Sequence, residues 1–160
     1  FTDIYGNVKE NILQGNIGVY KDDGEKVPEK FLFDSFIYDS TKEKETIEYS
    51  NSIKEIVVFG KIPRRSIQIP LYFGGTTSPD FMYVLKRKDN SYEINLIVET
   101  KGVEKESGLR NEEKLKIKNA EIFFKIMSNE GINIKFRKQL KSNDILEIIK
   151  DIIVQDLLKN

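Results

Sequence analysis

The chain has 160 residues, with 26 Lys+Arg against 26 Asp+Glu, and it contains neither cysteine nor histidine. That composition excludes disulfide frameworks, thiolate nucleophiles, Cys- or His-ligated metals and every imidazole acid–base pair. Carboxylates, lysines, hydroxyls and a hard metal bound through oxygen remain for catalysis, and zero net charge gives no whole-chain argument for a nucleic-acid partner.

Residues 1–36 are irregular, punctuated by Gly6, Gly15, Gly18, Gly24 and Pro28, with a short helix around Asn11-Ile12-Leu13 and a short strand or two. The chain starts at Phe1 without a leader pattern and reads as a fragment of a longer protein, 1–36 being a linker-like lead-in to one domain over 37–160. Ser40 and Glu43 have capping-box spacing and predict a helix over 41–52, with Ile47, Tyr49 and Ile53 facing inward. Residues 54–59 read as a strand, Gly60 and Pro63 as a turn, and 66–72 as a second strand that Pro70 confines to an edge or bulge. A Gly-rich loop over 73–79 leads to a hairpin: strand 80–87, turn Lys88-Asp89-Asn90-Ser91, strand 92–100. After a charged loop (102–108) comes a helix over 109–127. Its inward stripe is Ile117, Ala120, Phe124 and Met127, supported by Phe123. Gly131 ends this helix, 132–138 is a strand, and Asn143 caps a final amphipathic helix over 144–158. The order predicts an α/β (mixed α+β) fold, a mixed central sheet flanked by helices. No apolar run approaches the roughly 20 residues of a membrane span, and the lack of cysteine agrees with a cytoplasmic protein.

The chemistry concentrates at one end of the hairpin. With the turn centred near Asp89 and Asn90, residues whose numbers sum to 179 face each other, so Val84 meets Asn95, Met82 meets Ile97, and Asp80 meets Glu99. Lys101 lies on the face of Glu99, because strand side chains repeat every two residues. Two carboxylates side by side repel unless a cation lies between them. An oxygen-only donor set with one adjacent lysine suits Mg²⁺ or Mn²⁺. Such an ion binds phosphate oxygens and acidifies a bound water, while the lysine orients that water, which amounts to phosphodiester hydrolysis without histidine.

Ser78-Pro79-Asp80 followed by Glu99-Thr100-Lys101 resembles the PD-(D/E)xK nuclease signature. Its surroundings are more specific: Phe59-Gly60-Lys61-Ile62-Pro63-Arg64-Arg65, then Gly74-Gly75-Thr76-Thr77-Ser78-Pro79-Asp80, then Leu96-Ile97-Val98-Glu99-Thr100-Lys101-Gly102, then Glu113-Lys114-Leu115-Lys116. Together with Tyr38-Asp39-Ser40, these segments resemble the C-terminal endonuclease domain of the restriction (Res) subunit of type III restriction–modification enzymes, over residues 37–127. The resemblance implies a PD-(D/E)xK restriction-endonuclease-like core that cuts double-stranded DNA with Mg²⁺, Mn²⁺ substituting. It implies a bacterial cytoplasmic setting. It also implies a helicase-like, ATP-driven motor elsewhere in the chain and a modification (Mod) subunit as partner. No GxxxxGK occurs here, so the motor lies outside these residues. By the resemblance, Asp80, Glu99 and the backbone carbonyl of Thr100 are the metal ligands and Lys101 orients water. Glu43, with Glu45 as the alternative, completes the site from the first helix.

The plainer roles of these residues are a strand-start turn for Asp80, an edge ion pair for Glu99 and Lys101, and a capping acid for Glu43. Lysine outnumbers arginine 21 to 5, so a surface lysine says little and an arginine says more. Arg64 and Arg65 are candidate phosphate contacts, as are Lys114 and Lys118, which share a helical face. Glu113 near the start of that helix fits its dipole, and Gly74 and Gly75 suit either a tight turn or close approach of DNA. Residues 1–60 carry 7 basic and 12 acidic groups, whereas 101–142 carry 11 and 6, so a local positive surface is expected in the second half. A stand-alone nuclease of the same superfamily, or an inactive nuclease-like docking module, are the rival readings.

Overall fold

The structure is a computed structural model that describes residues 4–5, 12–86, 93–101, 106–141 and 144–158. A four-stranded mixed sheet forms its centre, in the order β3 (Ile56–Lys61), β6 (Phe81–Lys86), β7 (Glu93–Thr100), β8 (Ile134–Gln139). β6 runs antiparallel to both of its neighbours, β3 and β7, and β8 is parallel to β7. A parallel neighbour needs a crossover, which α3 (Asn111–Asn129) supplies. Before the sheet come α1 (Gln14–Ile17), β1 (Tyr20–Lys21), β2 (Ile37–Tyr38) and α2 (Thr41–Ser50); β1 and β2 pair antiparallel. β4 (Ile69–Pro70) and β5 (Thr76–Thr77) make a small separate hairpin, and α4 (Asp144–Leu157) closes the chain.

Period-two alternation sorts the side chains between two cores. Phe59, Phe81, Tyr83, Leu85, Ile94, Leu96 and Val98 bury one sheet face against Ile47 of α2 and Ile145, Ile149 and Ile152 of α4. Ile97 and Phe136 bury the other against Ile117, Ala120 and Phe124 of α3. Phe31 and Phe36, from the irregular early segment, belong to the first core. Leu96 is 0% exposed in a strand with neighbours on both sides. Leu96→Ala should therefore cost about 2–5 kcal/mol, read as a lowered urea midpoint at unchanged slope.

Several local expectations shift. The second strand contracts from 66–72 to Ile69–Pro70, because its partner in the 73–79 loop is only Thr76–Thr77 and Pro70 has no N–H to extend the ladder. Gly74 and Gly75 (φ 99° and 80°) make that hairpin's turn, with Gly74 N–H on the Leu71 carbonyl. Gly60 is not a turn residue but lies within β3, where Leu32 crosses so closely that a Cβ would sit 2.9 Å from the Leu32 Cβ. Tyr49 is exposed, and α2 buries Glu43, Thr46 and Ser50 beside Ile47. The early helix falls at Gln14–Ile17, after Leu13. Asn11, the 88–91 turn, the 102–105 part of the charged loop and Asn143 lie outside the described residues. Among the described residues no helix is long and apolar enough to cross a membrane.

Candidate nuclease site

The hairpin register is the one that places Asp80 opposite Glu99: Val84 pairs with Asn95, Met82 with Ile97 and Phe81 with Val98. Asp80 sits one residue before β6, where its backbone is stitched to both neighbouring strands. Its N–H donates to the Val98 carbonyl at 3.2 Å, and its carbonyl accepts from Ile62 N–H at 2.7 Å. Its carboxylate Oδ2 accepts the Thr100 N–H at 2.7 Å. Glu99 and Lys101 leave the end of β7 on the same face, with Lys101 Nζ 2.5 Å from Glu99 Oε1. Lys101 N–H in turn donates to the Gln139 carbonyl of β8 at 2.8 Å. Asp80, Glu99 and Lys101 are thus fixed by the ends of central strands rather than by loops.

Burial and charge press on this group. Burial pushes the Asp80 carboxyl well above the usual range, and the neighbouring Glu99 and Glu43 add to it against the Thr100 N–H and Lys101. Burial likewise raises Glu99, although Lys101 and Lys116 pull it down. Glu43 stands at the third position of α2, 7% exposed, with its charge felt by both carboxyls. Glu45 on the same helix is exposed and turns the other way. Ser40 caps α2 by accepting the Glu43 N–H at 3.3 Å, while the Glu43 carboxylate reaches past Ser40 to the Asp39 N–H at 2.8 Å.

A cavity of about 390 Å³ opens beside Asp80, with Asp39, Lys61, Arg64, Arg65 and Ser78 on its wall. Arg64 is tied there by Asp39 Oδ1 at 2.7 Å and the Gly15 carbonyl at 3.0 Å. Arg65 holds a left-handed backbone (φ 64°) in the bend after Pro63. Lys114 and Lys118 are exposed on α3, away from that cavity's wall. Glu113 accepts the Arg110 N–H at 2.9 Å as the cap of α3, and that bond holds its carboxyl below the usual range. A larger cavity, about 650 Å³, lies between α3 and β8 and touches none of the site carboxylates.

Three participants escape the sequence reading. Lys61 is a buried ammonium between Asp39 and Glu43. Asp39 orients both it and Arg64. Lys116 shares a small cleft with Glu99 and acts on its charge. All three fall in segments that carry the family resemblance, but a lysine of a lysine-rich chain, in what reads as a turn between Gly60 and Pro63, gives no sign of burial.

The donor chemistry fits a hard divalent ion. Asp80 and Glu99 are oxygen donors without soft ligands, and such ions are held by one or two carboxylates plus water. Ser78 Oγ and Thr100 Oγ1, flanking the carboxylates, are buried without a hydrogen-bond partner among the described residues. Among the described residues no three acidic side chains are placed to hold an ion together, so Glu43 does not join Asp80 and Glu99 in a three-acid cluster.

A family model described as "Endonuclease domain" matches residues 29–143. The chain is 39% identical over 150 residues to the type III restriction-modification enzyme EcoP15I Res subunit of Escherichia coli. It is 38% identical over 150 residues to the EcoPI Res subunit of Escherichia phage P1. In each case the match covers 94% of this chain and 15% of the relative. The StyLTI Res subunit of Salmonella typhimurium is 33% identical over 100 residues, 62% of this chain and 10% of the relative. No solved structure matches.

Proposed function

The chain belongs to the endonuclease-domain family of type III restriction-enzyme Res subunits, and from that membership we propose that it hydrolyses phosphodiester bonds of double-stranded DNA with Mg²⁺, Mn²⁺ substituting. One observation carries the reading: a buried Asp80 carboxyl and the Glu99–Lys101 pair share the end of one strand pair, with the charge of Asp80 unopposed by any contact of its own with a cation among the described residues. Asp80, Glu99 and the Thr100 carbonyl would hold the ion, with water completing its coordination. Bound there, it would polarise a phosphoryl oxygen and acidify a water.

The chain's own groups supply the rest. The Thr100 N–H fixes the Asp80 carboxylate and favours its ionised form. Glu99 anchors the Lys101 ammonium at 2.5 Å, from where it orients the attacking water and offsets charge developing on the phosphoryl group. Arg64 and Arg65 on the cavity wall, and Lys114 and Lys118 on α3, contact DNA phosphates without reading sequence. The endonuclease unit takes in residues 37–160 together with the part of 1–36 that packs into its first core through Phe31 and Phe36, and an ATP-driven motor lies elsewhere in a cytoplasmic protein. Sequence recognition then falls to a modification subunit.

Two measurements test this reading. Calorimetric titration with Mn²⁺ should show binding that Asp80→Asn removes; binding unaffected by Asp80→Asn, or none at all, would leave only a docking module. DNA binding by the chain should be weak, with Kd about 10⁻⁴–10⁻⁶ M at physiological salt, indifferent to sequence and steeply salt-dependent. Tight, sequence-selective binding in a filter or anisotropy assay would contradict it.

A further inference from the structure

Residues 63–66 make a tight turn beside the nuclease site, with Ser66 N–H donating to the Pro63 carbonyl at 3.0 Å. Its third position is Arg65, the only non-glycine residue with a left-handed backbone (φ 64°) among the described residues. Glycine or asparagine usually fills such a position, because a side chain there crowds its own backbone. An arginine held against that cost points to a use for its side chain. The turn itself does not use it. The Arg65 carbonyl accepts from Gln68 Nε2 at 3.2 Å. Arg64 ties the segment to the α1 region, through its N–H on the Asn16 carbonyl at 2.7 Å and its guanidinium on Asp39 and the Gly15 carbonyl. The Arg65 guanidinium makes no ion pair or hydrogen bond among the described residues.

Arg65 lies on the wall of the 390 Å³ cavity that adjoins Asp80. The other carboxylate on that wall, Asp39, is already occupied by Lys61 and Arg64. The remaining polar groups there can all donate: Arg65, Gln68, Thr76, Thr77 and Ser78, whose Oγ is buried without a hydrogen-bond partner among the described residues. A wall of unspent donors around an unpaired guanidinium suits a phosphate. Neither Glu99 nor Lys101 reaches this cavity; Glu99 lines a separate small cleft that shares only Thr77 and Pro79 with it. The cavity therefore flanks the position between Asp80 and Glu99 on the Asp80 side and does not contain it.

We propose that this cavity is a subsite for the DNA phosphate next to the one being cut, and that the Arg65 guanidinium is its grip. The inference rests on the reading of Asp80 and Glu99 as the cleavage site and adds to it one named phosphate and the residue that holds it. Arg64 meets DNA only with the hydrogens that Asp39 and Gly15 leave it. A role of Arg65 confined to shaping the turn is the opposite case, because there glycine serves as well or better.

The test is single-turnover cleavage by the full-length protein with its modification subunit and ATP. The duplexes have a cut position mapped with the parent and carry a single uncharged methylphosphonate at one or the other phosphate next to the cut. Arg65→Gly gives the turn its preferred residue, so it should melt no lower than the parent in EDTA and bind Mn²⁺ as the parent does. It should nevertheless cleave about 10–100-fold more slowly, the loss of one charge-assisted contact. Arg65→Lys keeps the charge without the fork and should fall in between. One of the two methylphosphonates should slow the parent by a similar factor and slow Arg65→Gly no further. An Arg65→Gly protein that cleaves at the parental rate, melts several degrees lower, or is slowed by each methylphosphonate as much as the parent would overturn the role of Arg65 while leaving an Asp80-dependent site standing. An Asp80→Asn protein that still cuts would instead sink the site on which the subsite rests.

Discussion

Asp80→Asn should abolish DNA cleavage and, in the same protein, stabilise the metal-free fold. The activity loss follows from removal of a ligand whose ion contributes several kcal/mol to the transition state, about three decades of rate or more. The stability gain follows from burial. Asp80 is raised first by desolvation and then by Glu99 and Glu43, so the folded chain holds its proton more tightly than the unfolded chain. The stability this contributes is fully present below the ordinary carboxylate range and is lost as pH rises through the raised pKa. Asparagine keeps a carbonyl oxygen for the Thr100 N–H and carries no charge. In EDTA at pH 8 the variant should melt higher than the parent, by about 2–4 °C for each kcal/mol relieved in a domain of this size. The gap should close as pH falls toward 4. Adding Mn²⁺ should raise the parent's melting temperature and leave the variant's where it was. Calorimetric scans at four pH values check this, and an Asp80→Asn protein that melts lower at pH 8, or still cuts DNA, would refute it.

Lys101→Ala should separate catalysis from cation binding. Its ammonium is held by Glu99 rather than by Asp80, so the ligand set survives its loss. Cleavage should fall about 10²–10³-fold, the range for removing one preorganised donor to developing charge. Mn²⁺ affinity at pH 8 should stay within a few-fold of the parent. Burial already raises Glu99, and Lys101 is the main group opposing that rise. Without it the carboxyl climbs further, so the pH at which Mn²⁺ binding reaches half its maximum should move upward. Lys101→Arg should not restore the rate, since a planar guanidinium does not reproduce a compact ammonium at this position. Single-turnover cleavage paired with calorimetry at pH 6 and 8 reads both arms. Full activity in Lys101→Ala, or complete loss of Mn²⁺ binding at pH 8, would contradict the assignment.

The central hairpin was legible because its signals are local. Alternating apolar residues in Phe81–Lys86 and Glu93–Thr100, with turn residues between them, fix which face each side chain takes, and a register set by the turn brings Asp80 against Glu99. The helices over 111–129 and 144–157 were equally legible, since an apolar stripe of period 3.6 survives any error in their neighbours. The β4–β5 hairpin was not, because two-residue strands have no periodicity to read. Nor was the placement of Gly60, which depends on Leu32 crossing it from a segment 28 positions away.

The sequence by itself determined the class of chemistry. Without cysteine or histidine, carboxylates, lysines and hydroxyls remained, and the hairpin spacing put those at 80, 99 and 101 at one end; their reading as a nuclease site came from the family resemblance of the surrounding segments. Only the tertiary structure distinguished Glu43 from Glu45, by burying the first and exposing the second. It alone brought Lys61, Asp39 and Arg64 onto the Glu43 side of the site. The physical reason is range. Turns and strand alternation act over a few residues and can be read along the chain, whereas a buried ammonium finds its carboxylates only when α2 packs against β3, 18 and 22 positions away.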